Sequence, residues 1–389
     1  MTRVAMLTYS VKPRGGVVHS IAVAEALARR GHDIELFAVG RPGEGFFREP
    51  KVPATVVEHM PPDAPFDGRV AAMIEAYAAG LSERLAGFDV VHAQDCISAN
   101  AALALRDAGA VPHVLRTVHH VDDFRSPSLV ACQDRSIAAP DAVVCVSRPW
   151  AERLARDFGV SAEVVGNGVD LARYRPPRDA AERAGDRAAL GFGNRAVVLA
   201  VGGIEPRKGS LTLLDGFAYL RAELERDPLL VVAGGATLFD YRDELDRWAA
   251  RRAEIGLTDE EVRELGPVGD AELERLYRAA DVLAFPSVAE GFGLVVLEAL
   301  ASALPVVASD IDVLRGFVND GRSALLAPAG DAAALGHALA RALTDAALRD
   351  RLTVGGAAVA ARHSWDAVAE RHERAYAKFR ATRDLPVAG

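Results

Sequence analysis

Short apolar runs alternate with amphipathic stretches along almost the whole chain. RVAMLTY (3–9) leads through a glycine turn to a helical segment from about Val17 to Arg30, and DIELFAV (33–39) follows with strand character. VVHA (90–93), VLRTV (114–118), AVVCV (142–146) and AEVV (162–165) continue the series. Short apolar strands separated by helices predict a parallel sheet covered on both faces. The pattern then breaks: YRPPRDAAERAGDRAAL (174–190) is polar, carries Pro176 and Pro177, and contains no strand. A second alternation starts at AVVLAVGG (196–203) and runs through LLVVAGG (229–235), VRELG (262–266), VLAFP (282–286), PVVAS (305–309) and ALLAP (324–328). The pattern predicts an α/β chain of two doubly wound, Rossmann-like domains, residues 1–176 and 177–364, with a closing helical segment at 365–389. Two such domains face each other across a cleft, and ligands of open α/β sheets bind at the carboxyl ends of the strands.

A length of 389 residues suits two cores better than one. Half the residues are apolar and a quarter are charged, the composition of an ordinary globular protein. A net charge of −9 argues against nucleic acid as a partner. No stretch approaches the ~20 apolar residues of a membrane span, and RVAMLTY reads as a first strand rather than a signal peptide. The expected location is therefore the cytoplasm, with at most a peripheral membrane contact. Cys96, Cys132 and Cys145 lack metal-ligand spacing and read as buried or free thiols. Lysine is scarce, confined to Lys12, Lys51, Lys208 and Lys378, so a lysine inside a motif stands out.

Three glycine-rich turns follow strands: RGGVVHS (14–20), GGIEPRKGS (202–210) and EGFGLVVLE (290–298). Glycine lets a backbone approach a ligand closely and leaves the first amides of the next helix free for an anion. None is the G-x-G-x-x-G fingerprint of a dinucleotide site, which argues against a nicotinamide-dependent dehydrogenase. Arg207 and Lys208 follow a strand and a proline turn, placed to meet a phosphate, lysine as a point charge and arginine as a fork. Glu290 precedes the third turn and Glu298 lies about two helical turns beyond it. A carboxylate accepts from two hydroxyls of a vicinal diol at once. Two carboxylates with helix amides between them suit a sugar at each end of a diphosphate, which is a nucleotide sugar.

The ordered set of motifs resembles the family 4 retaining glycosyltransferases, which have the GT-B fold. EGFGLVVLE is similar to their E-x7-E motif. The likeness also takes in Gly15-Gly16, TVH (117–119), NGVD (167–170), EPRKGS (205–210), LGPVGDAELERLY (265–277), the run from Ala279 to Asp310, NDGRSALLAP (319–328) and the closing SWDAVAERHERAY (364–376). The resemblance implies that Lys208 binds the donor diphosphate, that Glu298 holds the ribose, and that Glu290 with the backbone of Gly291, Phe292, Gly293 and Leu294 faces the transferred sugar and phosphate. Val268 corresponds to the segment whose backbone meets the nucleobase, and Gly16 lets the first loop approach the diphosphate. His119 corresponds to the histidine near the reaction centre, with His120 as the neighbouring alternative. Asn167 and Asp170 are read as shaping the turn between domains. Gly203 stands where many members carry a second diphosphate arginine, which leaves Arg207 or the backbone amides to serve instead.

The implied reaction moves a hexose-type sugar from a nucleoside-diphosphate sugar, UDP favoured by frequency in the family, to a hydroxyl of a small molecule, a glycan or a lipid-linked acceptor. The resemblance implies no metal and no cofactor beyond the donor. Two other readings share the motifs: a nucleotide-sugar 2-epimerase of GT-B fold, and a sugar-nucleotide-binding protein without catalysis.

Overall fold

Valine, leucine and alanine at successive positions make strands that can be covered on both faces, and such strands build the centre of each half. The computed structural model describes residues 1–225, 227–234 and 242–381. Gly235 of the expected LLVVAGG strand and residues 382–389 of the expected closing segment lie outside the described residues. The chain divides into two compact units, one of Met1–Gly168 with the segment from Trp365 onward, the other Val169–Ser364.

In the first unit the strands are β1 (Arg3–Thr8), β2 (Asp33–Gly40), β3 (Ala54–Glu58), β4 (Val90–Ala93), β5 (Val114–Val118), β6 (Ala142–Cys145) and β7 (Ala162–Val164). All pair in parallel, in the order β3-β2-β1-β4-β5-β6-β7. β1 is buried from its second residue on and β4 throughout. Helices Gly15–Arg29 and Trp365–Ala381 pack in this unit, joined by Arg29–Asp366 at 2.8 Å and Arg30–Glu373 at 2.6 Å.

In the second unit β8 (Ala196–Val201), β9 (Pro228–Ala233), β10 (Val262–Gly266), β11 (Val282–Phe285), β12 (Val306–Ser309) and β13 (Leu325–Ala327) pair in parallel as β10-β9-β8-β11-β12-β13. The strand order thus reverses direction at β1/β4 in one sheet and at β8/β11 in the other, the switch points where doubly wound sheets open a crevice. This is the GT-B α/β architecture expected from the motifs.

Two local features differ from the expected pattern. β3 is an edge strand with no buried residue, so it lacks the apolar signature of its neighbours. The first unit ends at Gly168, before the polar proline run. Val169 donates to the His363 carbonyl at 2.7 Å, the Tyr174 ring meets Tyr277 edge-on at 5.6 Å, and Arg173 pairs with Asp270 and Glu274 at 2.8 and 2.9 Å. These contacts tie residues 169–176 to the second unit; the prolines mark a surface loop within it.

Candidate functional site

In the second unit the chain leaves β8 through Gly202-Gly203, makes a short 3-10 turn over Pro206–Lys208, and enters helix Ser210–Glu223 from Gly209. Gly209 is left-handed at φ 67°, and a Cβ there would stand 2.2 Å from the Pro286 carbonyl oxygen, so only glycine fits. The loop after β11 returns the contact: Val288 N donates to Arg207 O at 2.9 Å. The two loops of the switch point therefore rest on each other through backbone.

That contact brings three predicted residues together. Lys208 Nζ donates to Glu290 Oε2 at 2.7 Å, and Arg207 Nη1 donates to Glu290 Oε1 at 3.1 Å. Arg207 Nη2 also reaches Glu205 Oε2 at 3.4 Å, and Gly291 N lies 3.3 Å from Glu290 Oε1. Burial alone would raise the Glu290 carboxyl, but Lys208 and Arg207 outweigh it and hold the group below the usual carboxylate range. Glu205 shows the opposite balance, since burial raises it despite the same two cations. The Lys208 ammonium stands 5.2 Å over the Phe285 ring, beside a small pocket lined by Gly202, Gly203, Lys208, Pro286 and Ser287.

The helix Leu294–Ala301 starts from Gly293, left-handed at φ 99°, with no side-chain cap and no acidic residue in its first turn. Helix Ser210–Glu223 shares all three properties. Both N-termini therefore offer uncapped amides to an anion. Phe292 turns inward, 7% exposed and stacked on Phe317 at 4.9 Å, so its side chain belongs to the core and only its backbone is free for a ligand. Glu298 accepts a hydrogen bond from Tyr277 Oη at 2.7 Å, and the Tyr174 hydroxyl also acts on its carboxyl. Burial raises its carboxyl, and the two hydroxyls partly offset this. Val268 is half-buried in the turn after β10, two strands from β8 in the sheet order. Asp170 Oδ1 accepts from Ala172 N and Arg173 N at 2.9 and 3.2 Å, which makes it a turn-forming residue.

In the first unit His119 follows β5, and Gly16 opens helix Gly15–Arg29 beyond β1. A Cβ on Gly16 would lie 3.5 Å from His119 Cδ2, so the glycine turn and the histidine are neighbours. Gln94, after β4, gives its amide to Met6 Sδ at 2.9 Å and holds His119 Nε2 at 3.1 Å by its oxygen. The oxygen can only accept, so Nε2 carries the proton and Nδ1 is left as an acceptor. His19 packs edge-on against His119 at 4.8 Å and bonds Asn167 Oδ1 through Nδ1. His92 bonds Tyr376 Oη at 2.8 Å and Thr117 Oγ1 at 2.7 Å, with the His372 ring 5.6 Å away. Burial pushes all four imidazoles down, His19 to about 3 and His372 to about 4, so they are neutral at pH 7. His120 is exposed and pairs with Asp122 at 3.2 Å, outside this group.

The sequence pattern did not point to His19, Tyr174 or Tyr277. His19 stands inside the quoted RGGVVHS, three residues after Gly16, but the glycines carried that motif's meaning. Tyr277 closes LGPVGDAELERLY, where its spacing reads as the core face of a helix.

Comparison with known proteins identifies the family and the fold. Residues 182–358 match the family described as glycosyl transferases group 1, and residues 13–173 match glycosyltransferase family 4. The chain is 32% identical to the D-inositol 3-phosphate glycosyltransferase of Saccharomonospora viridis, over 95% of this chain and 92% of that one. It is 31% identical to the protein of the same name from Xylanimonas cellulosilytica, over 99% and 98%. Among solved structures it superposes on a sucrose-phosphate synthase from Thermosynechococcus elongatus with TM-score 0.81 at 24% identity, covering 98% of this chain and all (100%) of the other. HepE from Anabaena, solved in complex with UDP-glucose, gives 0.79 at 19%, covering 97% and 100%. No described helix is long and apolar enough to cross a membrane.

Proposed function

The chain belongs to glycosyltransferase family 4, and from that premise we propose that it moves a hexose-type sugar from a UDP-sugar to a hydroxyl-bearing acceptor with retention of anomeric configuration. Glycosyl transfer follows from the family; the donor, the acceptor and the stereochemistry are the proposal. The observation that carries it is the Lys208–Glu290–Arg207 cluster at the β8/β11 switch point, beside two helices that start from uncapped glycines.

In this reading the diphosphate takes hydrogen bonds from Lys208 and from the helix amides, and Arg207 serves in place of an arginine at Gly203. Positive charge already fixed at that point stabilises the negative charge that grows on the departing diphosphate. These groups supply the charge without a metal. Glu298 accepts from the ribose hydroxyls in the capacity its tyrosines leave, and Glu290, released from Lys208 by the phosphate, turns to the sugar. Neutral His119, with Nδ1 as acceptor, orients a hydroxyl during transfer. HepE is similar in fold and was solved with UDP-glucose, which supports uridine as the base to test first. The name of the relatives makes a polyol such as inositol 3-phosphate the acceptor to test first. Neither a 2-epimerase nor a non-catalytic binding protein is favoured by relatives that are glycosyltransferases by name.

A thermal-shift panel of UDP-, GDP- and ADP-sugars, followed by product analysis with and without inositol 3-phosphate, tests the proposal. A UDP-sugar should raise the melting midpoint most, and the acceptor-dependent product should keep the donor's anomeric configuration by NMR. Stabilisation by none of the three nucleotides would remove the donor assignment. An inverted product would remove the stereochemical one.

A further inference from the structure

Cys96 is the first residue of helix Cys96–Asp107, and Cys132 lies in helix Pro127–Ala138. Their sulfurs stand 2.9 Å apart. Asn100 braces the two helices here: its amide reaches the carbonyls of both cysteines at 2.9 Å and the Cys132 sulfur at 3.3 Å. Behind the pair sits Arg116, 4% exposed, with Nε and Nη1 lacking any hydrogen-bond partner. A buried guanidinium without its bonds is costly, and the anionic form of a neighbouring thiol relieves it.

We propose that Cys96 and Cys132 are a redox-active dithiol, closed reversibly to a disulfide by an oxidant of the peroxide class, and that closure slows glycosyl transfer. Both residues are half-buried, so a small oxidant reaches them. The hydrogen bond from Cys132, helped by Arg116, holds the Cys96 thiol below its usual range against burial, while the same bond and burial push Cys132 up. Cys96 is therefore the attacking sulfur and Cys132 the resolving one. The Cys96 thiolate attacks one peroxide oxygen, the O–O bond breaks, and the departing hydroxide takes the Cys132 proton. Cys132 sulfur then displaces hydroxide from the Cys96 sulfenic acid, and solvent protonates that hydroxide. Two thiols lose two electrons and peroxide becomes two waters. Cys145 is fully buried and pushed up to about 12, so it stays out of this chemistry.

Closure reaches the site through one turn of chain. Gln94, which holds His119, and Asp95, which caps Ser98 N and holds Tyr9 N at 2.8 Å each, immediately precede Cys96. This coupling rests on the role proposed for His119; the disulfide does not.

The test treats the reduced full chain with hydrogen peroxide. The expected intact mass falls by two hydrogens, a Cys96–Cys132 peptide appears, and dithiothreitol reverses both. Cys132→Ser should stop at a sulfenic acid on Cys96 that dimedone traps. The transfer rate should drop severalfold on oxidation, return on reduction, and lose this response in Cys96→Ser, with UDP affinity unchanged throughout. Gain of oxygen without a crosslink, or crosslinking through Cys145, would overturn the dithiol. A fully crosslinked chain that transfers at the reduced rate would overturn the coupling. A chain inactive with every donor yet crosslinked as described would sink the proposed function and leave the dithiol standing.

Discussion

At the ends of β1, β4 and β5 the first unit gathers His19, His92 and His119 with His372, all buried or nearly so and all neutral. At the ends of β8 and β11 the second unit gathers Lys208, Arg207, Glu205 and Glu290, and keeps charge by pairing it. Burial acts on both places and disfavours charge in both. The imidazoles have only one another and uncharged amides or hydroxyls to turn to, so they give up the proton. Glu290 has two cations within reach, so it stays ionised. Neutral acceptors are suited to sugar hydroxyls and a fixed cation is suited to a diphosphate, so the proposed function assigns the two sheets a division of substrate chemistry.

Removing one group from each side tests that division most strongly. Lys208→Ala should weaken UDP binding by ~2 kcal/mol or more, roughly thirtyfold, through loss of a charge-assisted contact. The more exposed Arg207, at 43%, should follow at about 1 kcal/mol in its alanine variant. His119→Ala should leave UDP affinity alone and lower kcat by about tenfold or more, the signature of an interaction made in the transition state. Calorimetry with UDP beside initial rates reads all three, and a loss of UDP affinity in His119→Ala would break the comparison.

Within the second unit the two carboxylates should separate in the same way. Glu298→Gln should weaken free UDP about tenfold, as for loss of a charged hydrogen-bond acceptor, whereas Glu290→Gln should leave UDP binding nearly intact and reduce turnover. Equal losses of UDP affinity would show that Glu290 is only the partner of Lys208. Tyr277→Phe removes the hydroxyl that orients Glu298 and should cost about 1 kcal/mol of UDP affinity. Unchanged affinity would make the tyrosine a packing residue.

The smallest effect is a pH dependence with opposite signs at the two carboxylates. Glu290 is depressed, so its pairing stabilises the fold above the unfolded carboxylate range and is lost as pH falls through its lowered value. Glu298 is raised, so its contribution to stability is present below the unfolded value and lost as pH rises through the folded one. On acidification Glu298 takes its proton first. UDP affinity should therefore weaken before the Lys208–Glu290 pair opens, and UDP titrations between pH 7 and about 4 would show the order.

Much of the fold was legible because strands covered on both faces cannot hide: β1, β8 and β9 are apolar almost residue by residue. β3 was not, since an edge strand with no buried residue carries no such run. The site was legible where a residue's role is local. Gly209 and Gly293 need left-handed backbone, and Lys208 stood out by scarcity. Glu298's partners were not legible, because Tyr174 and Tyr277 meet it only through tertiary packing and Tyr174 lies in the polar stretch where the strand pattern breaks. The proximity of Cys96 and Cys132 was hidden for the same reason, 36 positions apart on separate helices.

The seating of Gly209 against Pro286, with Val288 bonded to Arg207, has a consequence for how such a chain can diversify. Two loops that share a backbone contact cannot lengthen or shorten independently without parting Lys208 from Glu290. Changes in donor choice are therefore expected as point changes at side chains around the pair, and changes of length are expected in loops that carry no such mutual footing. A library that randomises length between Gly203 and Gly209 should yield few folded donor binders, and one that randomises identity at Gly203, Val288 and Ala289 should yield many.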